Sequence, residues 1–321
     1  MSSTEWAKRP ERGSEWLLKL MFRIAMMIGR RAAGIFLHPI AAYFWITTGA
    51  ARRDSKSYLT RALGRAPGWR ESYQHYLTFS ITILDRFYFL SGRDSEFVID
   101  FNGEEAVLET LALGRGAFLV GAHMGSFEAL RMLARQRPHL RVGMAMFEEN
   151  AQKIRKLLTA IDPTLLDDVV PLGHMDSMLR IQERLERGDM VGFLADRSFG
   201  NDANITLDFL GAPAQFPTGV FRMACLLKQP VIFMTGLYRG GNRYDVRFDR
   251  VIDFSKVERA ERKLMVEKGV KEFAARLEAH CRAAPFNWFN FYDFWTPPVK
   301  ESKPERSGQD KGEQQKSSGQ A

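Results

Sequence analysis

The chain has 321 residues, 45% hydrophobic and 26% charged, which is enough apolar material for a full core and too much for a chain that stays disordered. Its net charge of +8 is unevenly placed: residues 1–70 hold 13 Lys/Arg against 4 Asp/Glu, and the rest is close to neutral, which argues against a folded body that grips nucleic acid. The only two cysteines, Cys225 and Cys281, cannot build a disulfide framework, and neither has a Cys or His at metal-ligand spacing.

In chain order, residues 1–15 are polar and read as a flexible lead. From Trp16 to Arg31, helical spacing puts Lys19, Arg23 and Arg30 near one face and Leu, Met and Ile around the rest, an amphipathic helix with a basic stripe. Residues 32–50 carry no formal charge and just reach the length of a spanning helix. His38-Pro39 in the middle weakens a continuous span, while Arg30/Arg31 and Arg52/Arg53/Lys56 flank the run, and Tyr43 and Trp45 suit an interface. Segment 16–53 is therefore expected to lie on a membrane or partly in it, with a true span or a soluble helix pair as the alternatives. No cleavage site of a signal peptide follows the long polar lead.

Residues 54–92 look helical, with Leu59, Leu63, Tyr73, Leu77, Ile81, Leu84 and Tyr88 at helical spacing. From residue 97 short apolar runs at 97–101, 117–121, 142–146, 169–171, 190–194 and 231–235 alternate with amphipathic stretches at 104–113, 126–137, 149–160, 174–187 and 218–228. That alternation predicts an α/β domain over 54–298, with a mixed, mostly parallel sheet. Tyr238–Arg243 reads as a hairpin turn into the alternating 244–248, and 258–282 as a long helix. Residues 299–321 are polar and expected to be disordered.

The chemistry concentrates in Phe118-Leu-Val-Gly-Ala-His123-Met-Gly-Ser-Phe-Glu128. A buried strand runs into a Gly-containing turn, with His123 at its C-terminal end, where open α/β sheets place their sites. Ser126 is placed to cap the next helix, with Glu128 in its first turn. Glu128, folded back by the turn, is expected to fix the imidazole tautomer, leaving the other ring nitrogen to take a proton from an alcohol. Gly125 and Ser126 are candidates for substrate contact, and Arg197 and Arg222 for a phosphate or carrier-linked group. The remaining histidines lack such a context. There is no nucleophile elbow, P-loop or dinucleotide fingerprint.

His123-Met-Gly-Ser-Phe-Glu128, preceded by Leu119-Val-Gly-Ala, resembles the His-x4-Asp/Glu motif of the lysophospholipid acyltransferase superfamily, and is most similar to the branch of the late acyltransferases of lipid A biosynthesis. Arg187-Gly-Asp-Met-Val-Gly-Phe-Leu-Ala-Asp196-Arg197, Leu207-Asp-Phe-Leu-Gly-Ala-Pro-Ala-Gln-Phe-Pro-Thr-Gly219 and Pro285-Phe-Asn-Trp-Phe-Asn-Phe-Tyr resemble its later blocks in the same order, over roughly 15–297. The resemblance implies a sheet sandwiched by helices, with N-terminal membrane-associated helices. It implies acyl transfer from acyl carrier protein or acyl-CoA to a hydroxyl, without an acyl-enzyme. The expected protein is an acyltransferase for a lipid or glycolipid acceptor at the cytoplasmic face of a bacterial inner membrane; it needs no metal, because a His base and a preorganised anion site suffice, and no cofactor. By position, His123 is the general base, Glu128 its orienting partner and Asp196, the acidic residue of the second block, a substrate contact. Met146-Phe147-Glu148-Glu149 replaces the Arg-containing stretch common in the lipid A branch, a departure that bears on the acceptor. A thioesterase or lipase, and a non-catalytic acyl- or lipid-binding module, are the competing readings.

Overall fold

A computed structural model describes residues 23–129, 140–147, 169–173, 176–197 and 202–295. The helices expected over 149–160 and most of 126–137, the lead and the tail lie outside these residues.

Helix α1 (Arg30–Thr47) follows Gly29, whose φ of 82° separates it from helical residues 23–28. Pro39 is accommodated inside it. Helix α2 (Gly49–Leu63) ends at Gly64 in the left-handed conformation, and α3 (Trp69–Leu90) begins after Pro67-Gly68, where Glu71 accepts from the Gly68 N–H at 2.7 Å. The residues expected as one helical stretch over 54–92 thus form two helices, parted where Gly and Pro cannot continue one.

The α/β part follows as β1 (Val98–Asn102), α4 (Glu105–Ala112), β2 (Ala117–Gly121), β3 (Val142–Phe147), β4 (Val169–Leu172), α5 (Ser177–Glu186) and β5 (Met190–Leu194). After these come β6 (Asn204–Phe209), β7 (Ala212–Pro217), α6 (Gly219–Leu226), β8 (Pro230–Tyr238), β9 (Arg243–Asp253) and α7 (Arg262–Ala283). Seven strands form one sheet in the order β1-β9-β8-β2-β5-β3-β4, with β6 and β7 as a separate hairpin. All main-sheet pairs are parallel except β8–β9, so the mixed, mostly parallel sheet predicted from the alternation is present.

Strand β2 alternates between two cores, as a strand buried on both faces must. Phe118 and Val120 join Tyr58, Phe209, Phe221, Phe273 and Leu277 on one face; Ala117 and Leu119 join Tyr88, Phe89, Tyr244 and α1's Leu37 and Ala41 on the other. Helix α1 is part of the second core. Arg30 donates from Nε and Nη2 to the buried Asp85 at 2.6 and 2.7 Å, and Tyr244 Oη adds a bond at 2.8 Å. These three donors offset part of the cost of burying the Asp85 carboxylate, and burial still raises its pKa above the usual value. Trp45 Nε1 donates to Ser72 Oγ at 2.9 Å near the far end of α1. No helix among the described residues is long and apolar enough to cross a membrane.

Candidate active site

Strands β2 and β5 lie side by side in parallel, with Gly121 level with Leu194. His123 and Asp196 each stand two residues beyond those paired ends, so the register brings them together although 73 positions separate them. Asp196 Oδ1 accepts from His123 Nδ1 at 2.8 Å, and Oδ2 accepts the His123 backbone N–H at 3.2 Å and Trp288 Nε1 at 3.0 Å. Asp196 is fully buried, whereas His123 keeps 27% of its side-chain surface and lines a cavity of about 760 Å³. Its Nε2 has no hydrogen-bond partner among the described residues.

The turn after β2 is held by its glycine and by the end of the chain. Gly125 has φ of 62° and pairs with Gly236, so closely that a β-carbon on Gly125 would collide with the Gly236 carbonyl. Its N–H donates to the Asn287 carbonyl at 2.9 Å, and the Ser126 N–H to the Gly236 carbonyl at 2.8 Å. The Phe289 N–H donates to the His123 carbonyl at 2.8 Å, and Met124 bridges Trp288. The aromatic segment after α7 thus fixes the backbone of the His123 turn from one side while β8 fixes it from the other.

The structure differs from the sequence reading over which carboxylate meets the imidazole. Glu128 was expected to fold back onto the ring, but Asp196 occupies that position. Glu128 forms an ion pair with Arg86 Nε of α3 at 2.7 Å and accepts from Ser126 Oγ at 3.2 Å. It remains on the cavity wall with Gly125, Ser126 and Arg86. Asp196, expected among the substrate contacts, lies behind His123 and does not line the cavity. Arg197 does line it, but its Nη2 donates to the Phe289 carbonyl at 2.9 Å and its guanidinium lies 4.9 Å from the Tyr292 ring centre. Arg222 is exposed on α6 and is not on the cavity wall. Sequence reasoning missed Arg86 and Trp288, since neither stands near the motif in the chain.

Electrostatics suit a base. His123 titrates below the ordinary imidazole value, first because burial penalises the imidazolium and next because Arg197 opposes a second positive charge; Asp196 acts in the other direction without reversing the sum. Burial acts to raise Asp196, but His123, Arg197 and the Trp288 N–H outweigh it and hold the carboxyl well below the usual range. An ionised Asp196 can only accept, so Nδ1 carries the proton and Nε2 presents a lone pair. The rest of the wall is largely apolar, with Met144, Met146, Leu172, Phe193 and Met223, a surface suited to an alkyl chain.

A comparison with curated proteins finds no match. The family model of the bacterial lipid A biosynthesis acyltransferases matches residues 4–296, which takes in the whole sheet, the His123 turn, Asp196 and the closing aromatic segment. The chain therefore belongs to the bacterial lipid A biosynthesis acyltransferases, a family that transfers acyl groups to lipid.

Proposed function

We propose that the protein transfers a fatty acyl group from a thioester to a hydroxyl of a lipid or glycolipid, with His123 as general base. The observation that carries this is the His123 ring itself, fixed through Nδ1 by Asp196 with a cavity-lining position for its other edge. The acceptor hydroxyl gives its proton to Nε2 as its oxygen attacks the thioester carbonyl. The tetrahedral oxyanion then collapses and expels the sulfur, which takes the same proton from the imidazolium. Asp196 stabilises that imidazolium, and no acyl-enzyme forms. Glu128 shapes the wall through Arg86 and Ser126.

We favour acyl carrier protein over coenzyme A as donor. Carrier proteins are acidic, and Arg52, Arg53 and Lys56 form a basic cluster on α2 that would speed their encounter. Lys153, Arg155 and Lys156 lie outside the described residues, and Arg239 and Arg243 are engaged by Asp245 and Asp100. The charge excess of residues 1–70 and the exposed Ile35, Phe36, Tyr43 and Ile46 of α1 support attachment to an anionic membrane surface, the cytoplasmic face of a bacterial inner membrane. These helices would lie on the bilayer, because the opposite side of α1 is part of the core.

The test is mass spectrometry of lipids incubated with purified protein and matched acyl-carrier and acyl-CoA donors. An acylated lipid product that disappears with His123→Ala is expected. Free fatty acid as the sole product would mark a hydrolase instead, and full transfer by the variant would remove His123 from the mechanism.

A further inference from the structure

We infer that the indole N–H of Trp288 tunes the basicity of His123 through Asp196, which makes Trp288 a positioning residue for acyl transfer; this rests on His123 being the base. Trp288 is fully buried, and its Nε1 donates at 3.0 Å to Asp196 Oδ2, the oxygen not used by the imidazole. The indole is clamped edge-on by Tyr58, Phe209 and Phe294, with ring centres 4.9 to 5.5 Å away. Its main chain is fixed too. The Trp288 carbonyl accepts from His75 Nε2 at 2.8 Å, and the other nitrogen of His75 meets Ser55 Oγ at 2.8 Å. A buried chain of hydrogen bonds thus runs from Ser55 on α2 through His75 on α3, across Trp288 and Asp196, to His123.

The sign of the effect follows from charge. A donor on Oδ2 draws negative charge away from Oδ1 and weakens the carboxylate's pull on an imidazolium at Nδ1. Removing it makes Asp196 a stronger acceptor and raises the affinity of His123 for its proton. The other charged groups facing His123 are Arg197, Arg86 and, across the wall, Glu128; facing Asp196 are the charged Arg197 and the neutral Tyr292 and Cys281, whose ionisation burial disfavours. None of these donates to Oδ2 as Trp288 does. Asp196 lies so far below the usual carboxyl range that losing one donor leaves it ionised while His123 titrates.

The experiment is a titration of His123 in the full chain by NMR of histidine labelled at Cε1, its signal assigned by its absence in His123→Gln. Trp288→Phe should raise the His123 midpoint by about half to one pH unit, a share of what a charge-assisted hydrogen bond is worth. Because Phe also leaves a void, a second variant carries 3-benzothienylalanine at 288, which keeps the indole shape and replaces N–H by sulfur. A similar rise in both supports the inference. No rise in either, or a rise with Phe alone, overturns it, because packing rather than the N–H would then be responsible. Full transfer activity in His123→Ala would instead sink the base reading, and with it the catalytic meaning of the contact, whatever the titration shows.

Discussion

Asp196→Asn is the most informative substitution at the site, because the structure dictates which way the amide must face. Two donors converge on Oδ2, the Trp288 indole and the His123 backbone N–H, and one on Oδ1, the His123 ring. An asparagine satisfies the pair only by placing its oxygen there, which turns its NH₂ toward Nδ1. A donor facing Nδ1 forces the ring proton onto Nε2, and a protonated Nε2 cannot accept from a hydroxyl. The opposite flip would bury two donors against an NH₂ group, at about 1–3 kcal/mol for each unsatisfied group. The wrong tautomer, added to the lost charge behind the imidazolium, should lower kcat/KM by about 10³–10⁴-fold, or roughly 4–5.5 kcal/mol of transition-state stabilisation. The assay follows transfer, between about pH 6 and 9, from the acyl thioester to the lipid acceptor that the product analysis identifies. Because a tautomer is not corrected by removing protons, alkali should not restore the rate. Activity within tenfold of wild type, or recovery at high pH, would refute the reasoning.

Glu128→Gln should lower the rate less than His123→Ala, since Glu128 contacts Arg86 and Ser126 rather than the ring; equal losses would restore Glu128 as a direct partner of the base. Ile35 and Phe36 are 70% and 61% exposed on α1, and replacing both by Glu should cut partitioning onto anionic vesicles by roughly a hundredfold, from about 1.5 kcal/mol for each half-inserted side chain. Unchanged vesicle co-sedimentation would remove α1 from the membrane contact. Buried His75 titrates at about 4, lowered by burial, so the folded chain binds fewer protons than the unfolded one between that value and about 6.5. Stability should then fall as pH drops through this window, by at most about 3 kcal/mol from His75, with His123 and His280 acting in the same direction. Urea midpoints at pH 7 and 4.5 should differ less for His75→Gln than for wild type, and identical differences would show that His75 is not the source.

The elements legible in the sequence are those whose signal is local. Strand β2 was bounded correctly because a continuous apolar run ends at Gly121, and β5 because Gly188 precedes one and Asp196 follows it. The β6–β7 hairpin was not read as strands. Its turn is Leu210-Gly211, both with positive φ, and a leucine there gives none of the Asn-Gly or Asp-Gly signal of a two-residue turn. Leu210 is buried, and its N–H is taken by Glu278 at 2.7 Å, tertiary contacts that hold the unusual backbone and that no window of sequence contains. The site divides in the same way. His123 was found because strand, turn and residue type coincide within a few positions. That Asp196 is its partner depends on β5 lying next to β2, a matter of strand order, and Trp288 reaches the same carboxylate from 92 positions further on.

The distribution of the two carboxylates explains why Asp196, rather than the nearer Glu128, serves the imidazole. A carboxylate stabilises a developing imidazolium in proportion to the negative charge it still presents at the ring, and inversely to the mobility of its surroundings. Glu128 faces a guanidinium at 2.7 Å on the wall, so much of its field is already cancelled by a partner that is itself partly solvated. Asp196 is enclosed, the Arg197 guanidinium stands 3.7 Å away, and its bonded donors among the described residues are an indole, a peptide N–H and the imidazole. Its charge is therefore less cancelled than that of Glu128, and the indole and peptide dipoles that share it are fixed and need not reorganise when the proton arrives. Pairing Glu128 with Arg86 has the complementary effect on the cavity, where an unbalanced carboxylate would repel both a thioester oxyanion and any phosphate on the acceptor. On the proposed mechanism one acidic residue stays charged behind His123, and the other is paired with a guanidinium where substrate would pass.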